Sequence, residues 1–215
     1  MPTHSTESPF SQLDGITSLL RPLSAPFSEL LPDEQIIAAP MGVKRRTEFT
    51  AGRSLAREAL ADFGLGPVAI EKSESRWPIW PSGIAGSISH TDQWVGVVLA
   101  NTCAYTGVGL DIEQPGRLQD KLLPRVLTDH ERLALAPSAD ATCWFACKEA
   151  VYKAVNPRYQ EFLEFADVEI QISGERFSAT CRDHRHSHNA IARGYGYLSV
   201  DEQLIHALFL IDGWP

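Results

Sequence analysis

Between Thr47 and Phe63 the apolar and small residues Gly52, Leu55, Ala56, Ala59, Leu60 and Phe63 recur at helical spacing, and Gly64 follows as a stop; a helix is expected here. The stretch before it carries Pro2, Pro9, Pro22, Pro26, Pro32 and Pro40, which argues for an irregular lead-in with short elements only. After the turn-rich string RWPIWPSG, short β-branched and aromatic runs at Gly86 to His90, Trp94 to Ala100 and Thr106 to Glu113 read as antiparallel strands. Thr128 and Glu131 have capping-box spacing and open a second helix. A third is expected from about Thr142 to Val155, with Trp144, Cys147, Val151, Ala154 and Val155 as its buried stripe and Asn156-Pro157 as its end. Strand patterns return at Val168 to Ser173, Arg176 to Cys181, Ile191 to Val200 and Leu204 to Ile211, with Gly174 offering a tight turn. The order helix then strands, twice over, predicts an α+β fold. Two similar α/β halves, residues 1–105 and 106–215, would each carry antiparallel sheet.

With 215 residues and 44% hydrophobic content the chain has ample material for such a core. No apolar run approaches the roughly 18 residues of a membrane span, and the first ten residues lack the basic-then-apolar order of a signal peptide, so a cytoplasmic protein is expected. The four cysteines form no CxxC pair, and reduced thiols are the default. The net charge of −8 argues against broad nucleic-acid binding. That average conceals Lys44 to Arg57 (KRRTEFTAGRSLAR), where five basic residues oppose one acid. Such a patch suits a compact polyanion with several phosphates, or it is a solvated helix face. Arg46, Arg53 and Arg57 share one face if the helix reaches back that far.

Three further strings carry candidate chemistry. In GVGLDIE, strand alternation puts Asp111 and Glu113 on one face, where two carboxylates can share Mg²⁺ or sit at a solvated edge. In FACKEAVYKA, Glu149 and Lys153 stand at i, i+4, a spacing equally suited to a surface ion pair and to a third carboxylate beside a phosphate-binding lysine; Lys148 lies about 100° around. In GSISH, Ser87 and Ser89 share a face and His90 arrives at the strand end; Gly-x-Ser-x-Gly is absent, so a hydrolase elbow has no support.

Taken together, RRTEFTAGRSLAR, WPSGIAGSISHT, GVGLDIE and FACKEAVYKA resemble the 4′-phosphopantetheinyl transferases. Within them the chain is similar to the enterobactin-synthetase component D branch of the larger, surfactin-synthetase type. The likeness covers about Lys44 to Phe165. Where surfactin-type enzymes carry Trp three residues before the motif lysine, this chain has Phe145, as the enterobactin branch allows.

The resemblance implies transfer of the phosphopantetheine arm of coenzyme A, the co-substrate, to a serine of an apo acyl, peptidyl or aryl carrier protein, with release of 3′,5′-ADP. The branch suggests carriers of siderophore biosynthesis. It further implies that Asp111, Glu113 and Glu149 hold Mg²⁺, with Mn²⁺ as an alternative. Lys153 would stabilise the leaving group, Lys148 would make a further phosphate contact, and Glu149 or a metal-bound water would take the serine proton. Arg45, Arg53 and His90 resemble the clamp on the coenzyme's 3′-phosphate, with Lys72, Arg76 and Ser89 on the same side. The halves would be related by a pseudo-two-fold with the active site at their junction, the first serving the coenzyme's 3′-phosphate and adenine, the second the metal and the catalytic helix. A monomer is the simpler expectation.

Two other classes stay open: a catalytically silent coenzyme A-binding module and a metal-dependent phosphohydrolase. The tract CRDHRHSH (Cys181 to His188) reads as a solvated hairpin loop, or as a metal site if its histidines share a strand face. Trp77 and Trp80 suit either the adenine or simple burial. Leu122 to Leu135, with Arg125 and Arg132 among leucines, is a candidate carrier-docking surface.

Overall fold

The lead-in is more ordered than its prolines suggest. In the computed structural model, which describes residues 7–182 and 184–213, it holds strand β1 (Ile16–Pro22) and helix α1 (Pro32–Ala38). The prolines are where such elements tolerate them: Pro22 ends the strand on the edge of its sheet, and Pro32 is the first helical residue, whose missing N–H costs nothing. Helix α2 then runs from Val43 to Ala61, longer at its start than apolar spacing alone predicts because its first turn is basic and polar.

The chain divides into two compact units, Met1–Ala104 and Tyr105–Pro215. In the first, β2 (Glu71–Lys72) and β3 (Pro78–Ile79) form a small ribbon, while β4 (Ile84–His90) and β5 (Trp94–Asn101) complete an antiparallel sheet in the order β1-β5-β4. Val95, Val97 and Leu99 of β5 pack under Ala51, Leu55, Ala59 and Leu60 of α2. Each large side chain so buried contributes about 1.5 to 3 kcal/mol. Trp80 joins this core and donates its indole N–H to Gly86 O at 2.9 Å, the burial reading of the RWPIWP string. One carboxylate fixes the periphery: Glu34, fully buried, accepts from the N–H groups of Leu31 and Ile70 at 3.0 Å each and pairs with Arg57, which also donates to Glu29 O at 2.8 Å.

The second unit opens with β6 (Tyr105–Glu113), continues through a 3-10 turn at Asp120–Leu122 and the short helices α3 (Leu123–Val126) and α4 (Asp129–Ala134), and reaches the long helix α5 (Thr142–Tyr159). After a second 3-10 turn, Phe165–Asp167, come β7 (Val168–Ser173), β8 (Arg176–Cys181), α6 (His188–Arg193), β9 (Tyr195–Val200) and β10 (Ile205–Asp212). Five strands pair antiparallel in the order β6-β10-β9-β8-β7, and α5 packs over them through Ala146, Cys147, Ala150, Val151 and Ala154. The α+β class is therefore observed in both units.

Three expectations are corrected. Helix α5 passes through Pro157 and ends only at Gln160, whose φ of 50° closes it. In the last turn the proline forfeits only one backbone bond, and its fixed φ is already helical. The run expected as a strand from Ile191 begins as α6, and β9 starts after Gly194. The CRDHRHSH tract is a turn leading into α6, not a hairpin loop; His188 opens the helix, so its histidines share no strand face, and Asp183 lies outside the described residues. The capping box is as expected: Thr128 Oγ1 accepts from Glu131 N at 3.1 Å and Glu131 Oε2 from Thr128 N at 2.7 Å. No described helix is long and apolar enough to cross a membrane.

His206 sits inside the sheet between Ile112 of β6 and Ser199 of β9, 3% exposed, and burial pulls its imidazole down to about 4. The folded state resists a proton that the unfolded chain accepts below about 6.5, so this residue's contribution is full at neutral pH and lost as pH falls towards 4. Relative to wild type, His206→Leu is expected to gain about 2 kcal/mol between pH 7 and pH 5 in urea denaturation. A difference that does not change with pH would show that the buried ring carries its charge.

Candidate active site

Helix α5 lies against one face of β6 at a distance only glycine allows. A Cβ at Gly109 would stand 1.9 Å from Ala150 O, and one at Gly107 2.8 Å from Ala154 O. The next two residues on that face are Asp111 and Glu113, so the backbone contact that requires glycine also brings two carboxylates under the helix bearing Glu149 and Lys153. Lys153 Nζ donates to Asp111 Oδ1 at 2.6 Å and to Leu110 O at 3.1 Å. Glu113 meets Arg117 Nε at 2.9 Å.

The carboxylates sense one another. Burial first, and then the charge of Asp111, raise Glu113 to about 7, against the opposing pull of Arg117 and Lys153. Glu149 is raised for the same two reasons, with Lys153 acting against them. Among the described residues no three His, Cys, Asp or Glu side chains converge closely enough to enclose a metal ion. The donor chemistry nevertheless fits a hard divalent cation: oxygen ligands alone, and mutual repulsion that an added positive charge would relieve. In this arrangement the counter-charge beside Asp111 is the Lys153 ammonium.

Beside Glu149 opens a cavity of about 330 Å³, lined by Arg125, Lys148, Tyr152, Phe162, Leu163 and Phe165 among others. The aromatic part of this wall escaped the sequence reading because Phe162 to Phe165 follow a helix end without strand or helix periodicity. Arg125 reaches the cavity, while Leu122 and Leu133 of the same region stand exposed at 38% and 88%. Lys148 also borders the cavity, yet its ammonium donates to Val126 O and Phe165 O, both at 2.9 Å, and pairs with Glu131 Oε2 at 2.7 Å. An ammonium has three donors, so in this geometry none remains for the phosphate contact expected of it.

The basic segment of the first unit sorts in the same way. Arg46 donates to Ala38 O and Ala39 O at the end of α1, and Arg57 belongs to the Glu34 network. Arg53, 6% exposed, donates to Ile70 O at 2.8 Å and Glu71 O at 3.4 Å and covers the Phe49 ring at 4.5 Å; burial lowers its guanidinium to about 10. It is an interior residue rather than an open phosphate ligand. Arg45 differs: its side chain is 57% exposed, and its Nη1 stands 2.8 Å from His90 Nε2 and 3.4 Å from Glu48 Oε2. Arginine has only donors, so the imidazole nitrogen accepts in this pair. Lys44 meets Asp92 at 2.8 Å. Lys72 and Arg76 are exposed on and beside the β2–β3 ribbon, Arg76 with φ 73° in its turn. Ser89 is buried in β4 opposite Gly96.

Two family models match this chain: the 4′-phosphopantetheinyl transferase N-terminal domain over residues 32–100 and the 4′-phosphopantetheinyl transferase superfamily over residues 107–206. The chain is 36% identical over 152 residues to 4′-phosphopantetheinyl transferase Npt of Nocardia iowensis, covering 69% of this chain and 68% of that protein. It is 38% identical over 120 residues to enterobactin synthase component D of Escherichia coli K12, covering 53% of this chain and 56% of that one. Among solved structures, a holo-(acyl-carrier-protein) synthase of Bacillus anthracis, in complex with CoA (3′,5′-ADP), matches 52% of this chain and 99% of its own at 22% identity and a TM-score of 0.40.

The raised Glu113 makes a test without any ligand. Its charge opposes folding above pH 7, and that cost disappears as pH falls through 7 towards 4.5. Glu113→Gln is therefore expected to stabilise the protein relative to wild type by about 1 to 2 kcal/mol more at pH 8 than at pH 5, allowing for screening at a half-buried site. Thermal unfolding at both pH values checks this; a larger gain at pH 5 would contradict the assigned coupling.

Proposed function

The chain belongs to the 4′-phosphopantetheinyl transferase superfamily, and on that premise we propose that it moves the 4′-phosphopantetheine arm of coenzyme A to a serine hydroxyl of apo carrier proteins. The serine oxygen forms a bond to the phosphorus bearing pantetheine, the bond from that phosphorus to the bridging oxygen breaks, and 3′,5′-ADP leaves. The observation that carries this reading is the packing of α5 on the glycine face of β6, which joins Glu149 and Lys153 to Asp111 and Glu113.

Asp111, Glu113 and Glu149 would hold Mg²⁺, which when bound neutralises charge building on the pyrophosphate. Lys153, already beside Asp111, supplies a positive charge for the leaving phosphate. Glu149, raised by burial and by Asp111, is a better proton acceptor than an ordinary carboxylate and takes the serine proton. The adjoining cavity, of a size usual for small-molecule sites, receives the pantetheine arm. Arg45 and His90 bind the coenzyme's 3′-phosphate, with Lys72, Arg76 and Ser89 on the same unit. Arg53 supports this from inside by holding the carbonyl of Glu71, next to Lys72. The basic Arg125 and exposed Leu122 and Leu133 suit an acidic carrier protein.

Incubation with coenzyme A, Mg²⁺ and apo carriers is expected to add the mass of phosphopantetheine to the carrier, and to do so only with a divalent cation present. Unmodified carriers throughout would overturn the reading; free phosphopantetheine would favour hydrolysis, and binding without reaction a silent module. Glu149→Gln is expected to slow transfer roughly 10²- to 10⁴-fold while leaving coenzyme A affinity nearly unchanged.

The 3′-phosphate clamp has its own control. Arg45→Ala should weaken coenzyme A about tenfold or more and leave 3′-dephospho-coenzyme A unaffected, as judged by calorimetry. Equal losses for both ligands would place Arg45 elsewhere on the coenzyme.

A further inference from the structure

Lys148 stands next to Glu149 in the helix and borders the same cavity, but its ammonium is 2% exposed and directed into the protein. Its three contacts reach three separate pieces of chain: Val126 O at the end of α3, Glu131 in α4, and Phe165 O in the 3-10 turn after α5. Two of these pieces form the cavity wall, since Phe165 lines it directly and Val126 follows Arg125, which also does. Glu131 in turn accepts from Ile170 N at 2.7 Å and closes the α4 capping box, so the ammonium also reaches the start of β7 through it.

The first unit contains the same node built around another base. There Glu34 accepts from Leu31 N and Ile70 N, as Glu131 accepts from Thr128 N and Ile170 N. Arg57 of the long helix α2 pairs with Glu34 and donates to Glu29 O, as Lys148 of α5 pairs with Glu131 and donates to Val126 O. Glu29 precedes Glu34 by as many residues as Val126 precedes Glu131. A base at this node thus tethers a short capped helix to a long one in both units, and in the first it does so with no active-site carboxylate beside it.

We propose that Lys148 is a positioning residue: it ties α3, α4 and the turn at Phe165 to α5, and thereby sets the cavity wall in which Glu149 works, without contacting phosphate. This rests on the transferase reading. Removing the ammonium alone leaves Glu131 buried without its counter-charge, whereas neutralising both partners removes that conflict and keeps the volume.

The test measures transfer and coenzyme affinity for Lys148→Met, Glu131→Gln and the double variant. In Lys148→Met, kcat at saturating coenzyme A is expected to fall about tenfold or more while its Kd stays within about threefold. The double variant also lacks the ammonium that holds Val126 O and Phe165 O, so its kcat should stay about as low as that of Lys148→Met. A tenfold loss of coenzyme A affinity in Lys148→Met, or a double variant that regains wild-type kcat and so traces the loss to the unpaired Glu131 charge alone, would overturn the proposal. If Lys148→Met does not fold, Lys148→Gln is read on coenzyme A affinity, where a tenfold loss would again overturn the proposal. Should wild type itself modify no carrier, the transferase reading fails separately, and coenzyme A affinity in the Lys148 variant still decides whether that residue contacts phosphate.

Discussion

A carboxylate without exposure to water is the constraint on which each unit depends. Glu34 and Glu131 are 0% and 2% exposed, and desolvating such a charge costs several kcal/mol unless the fold returns it in full. Here it is returned twice by backbone N–H groups and once by a cation from the long helix. One of those N–H groups belongs to the helix's own start and the other to a remote residue, Ile70 or Ile170, so a single side chain fixes a helix cap, a chain crossing and a helix packing angle together. Loss of any partner leaves the others buried and unsatisfied, which makes the node cooperative rather than additive.

The geometry of the active site follows from where that node holds α5. With the helix anchored through Lys148, Ala150 and Ala154 rest on Gly109 and Gly107, and the next pleats of β6 deliver Asp111 and Glu113. The strand face is glycine where it must admit a helix backbone and acidic where the contact ends. That change along one strand builds an electrostatic conflict into the fold, visible in Glu113 at about 7 and in the raised Glu149. Lys153 relieves part of it from within. What remains is a repulsion that destabilises the fold and that an added positive charge would relieve.

The long elements were legible in the sequence because their periodicity is strong: the strands from β4 to β8 and the bodies of α2 and α5 stand where the patterns place them, although α2 starts earlier and α5 ends later. Some of the short ones, unlike α4 with its capping box, were not. Strand β1 and helix α1 lie among prolines that happen to occupy permitted positions, and α6 was hidden because Ile191 begins an apolar run that continues into β9. The carboxylate faces of β6 and α5 could be read from spacing, since alternation and i, i+4 geometry are local rules. Burial of individual bases could not, because Glu34, Glu131 and the carbonyls of Ile70 and Phe165 reach their partners from distant parts of the chain.

The basic segment shows why this matters for reading function from charge. Periodicity places Arg46, Arg53 and Arg57 on one face of α2, and a shared face is the usual argument for a shared ligand. In the folded unit each of the three is engaged by the protein itself: Arg46, still exposed, closes α1, Arg57 neutralises Glu34 and Arg53 supports the β2 segment. The arginine that meets His90 is Arg45, which lies off the stripe. The same holds for α5, where Lys153 meets the acidic face of β6 and Lys148, about 140° around from it, holds the frame. A helical stripe of positive charge therefore identifies the face that is constrained, and constraint by buried acids is as good a cause as a phosphate.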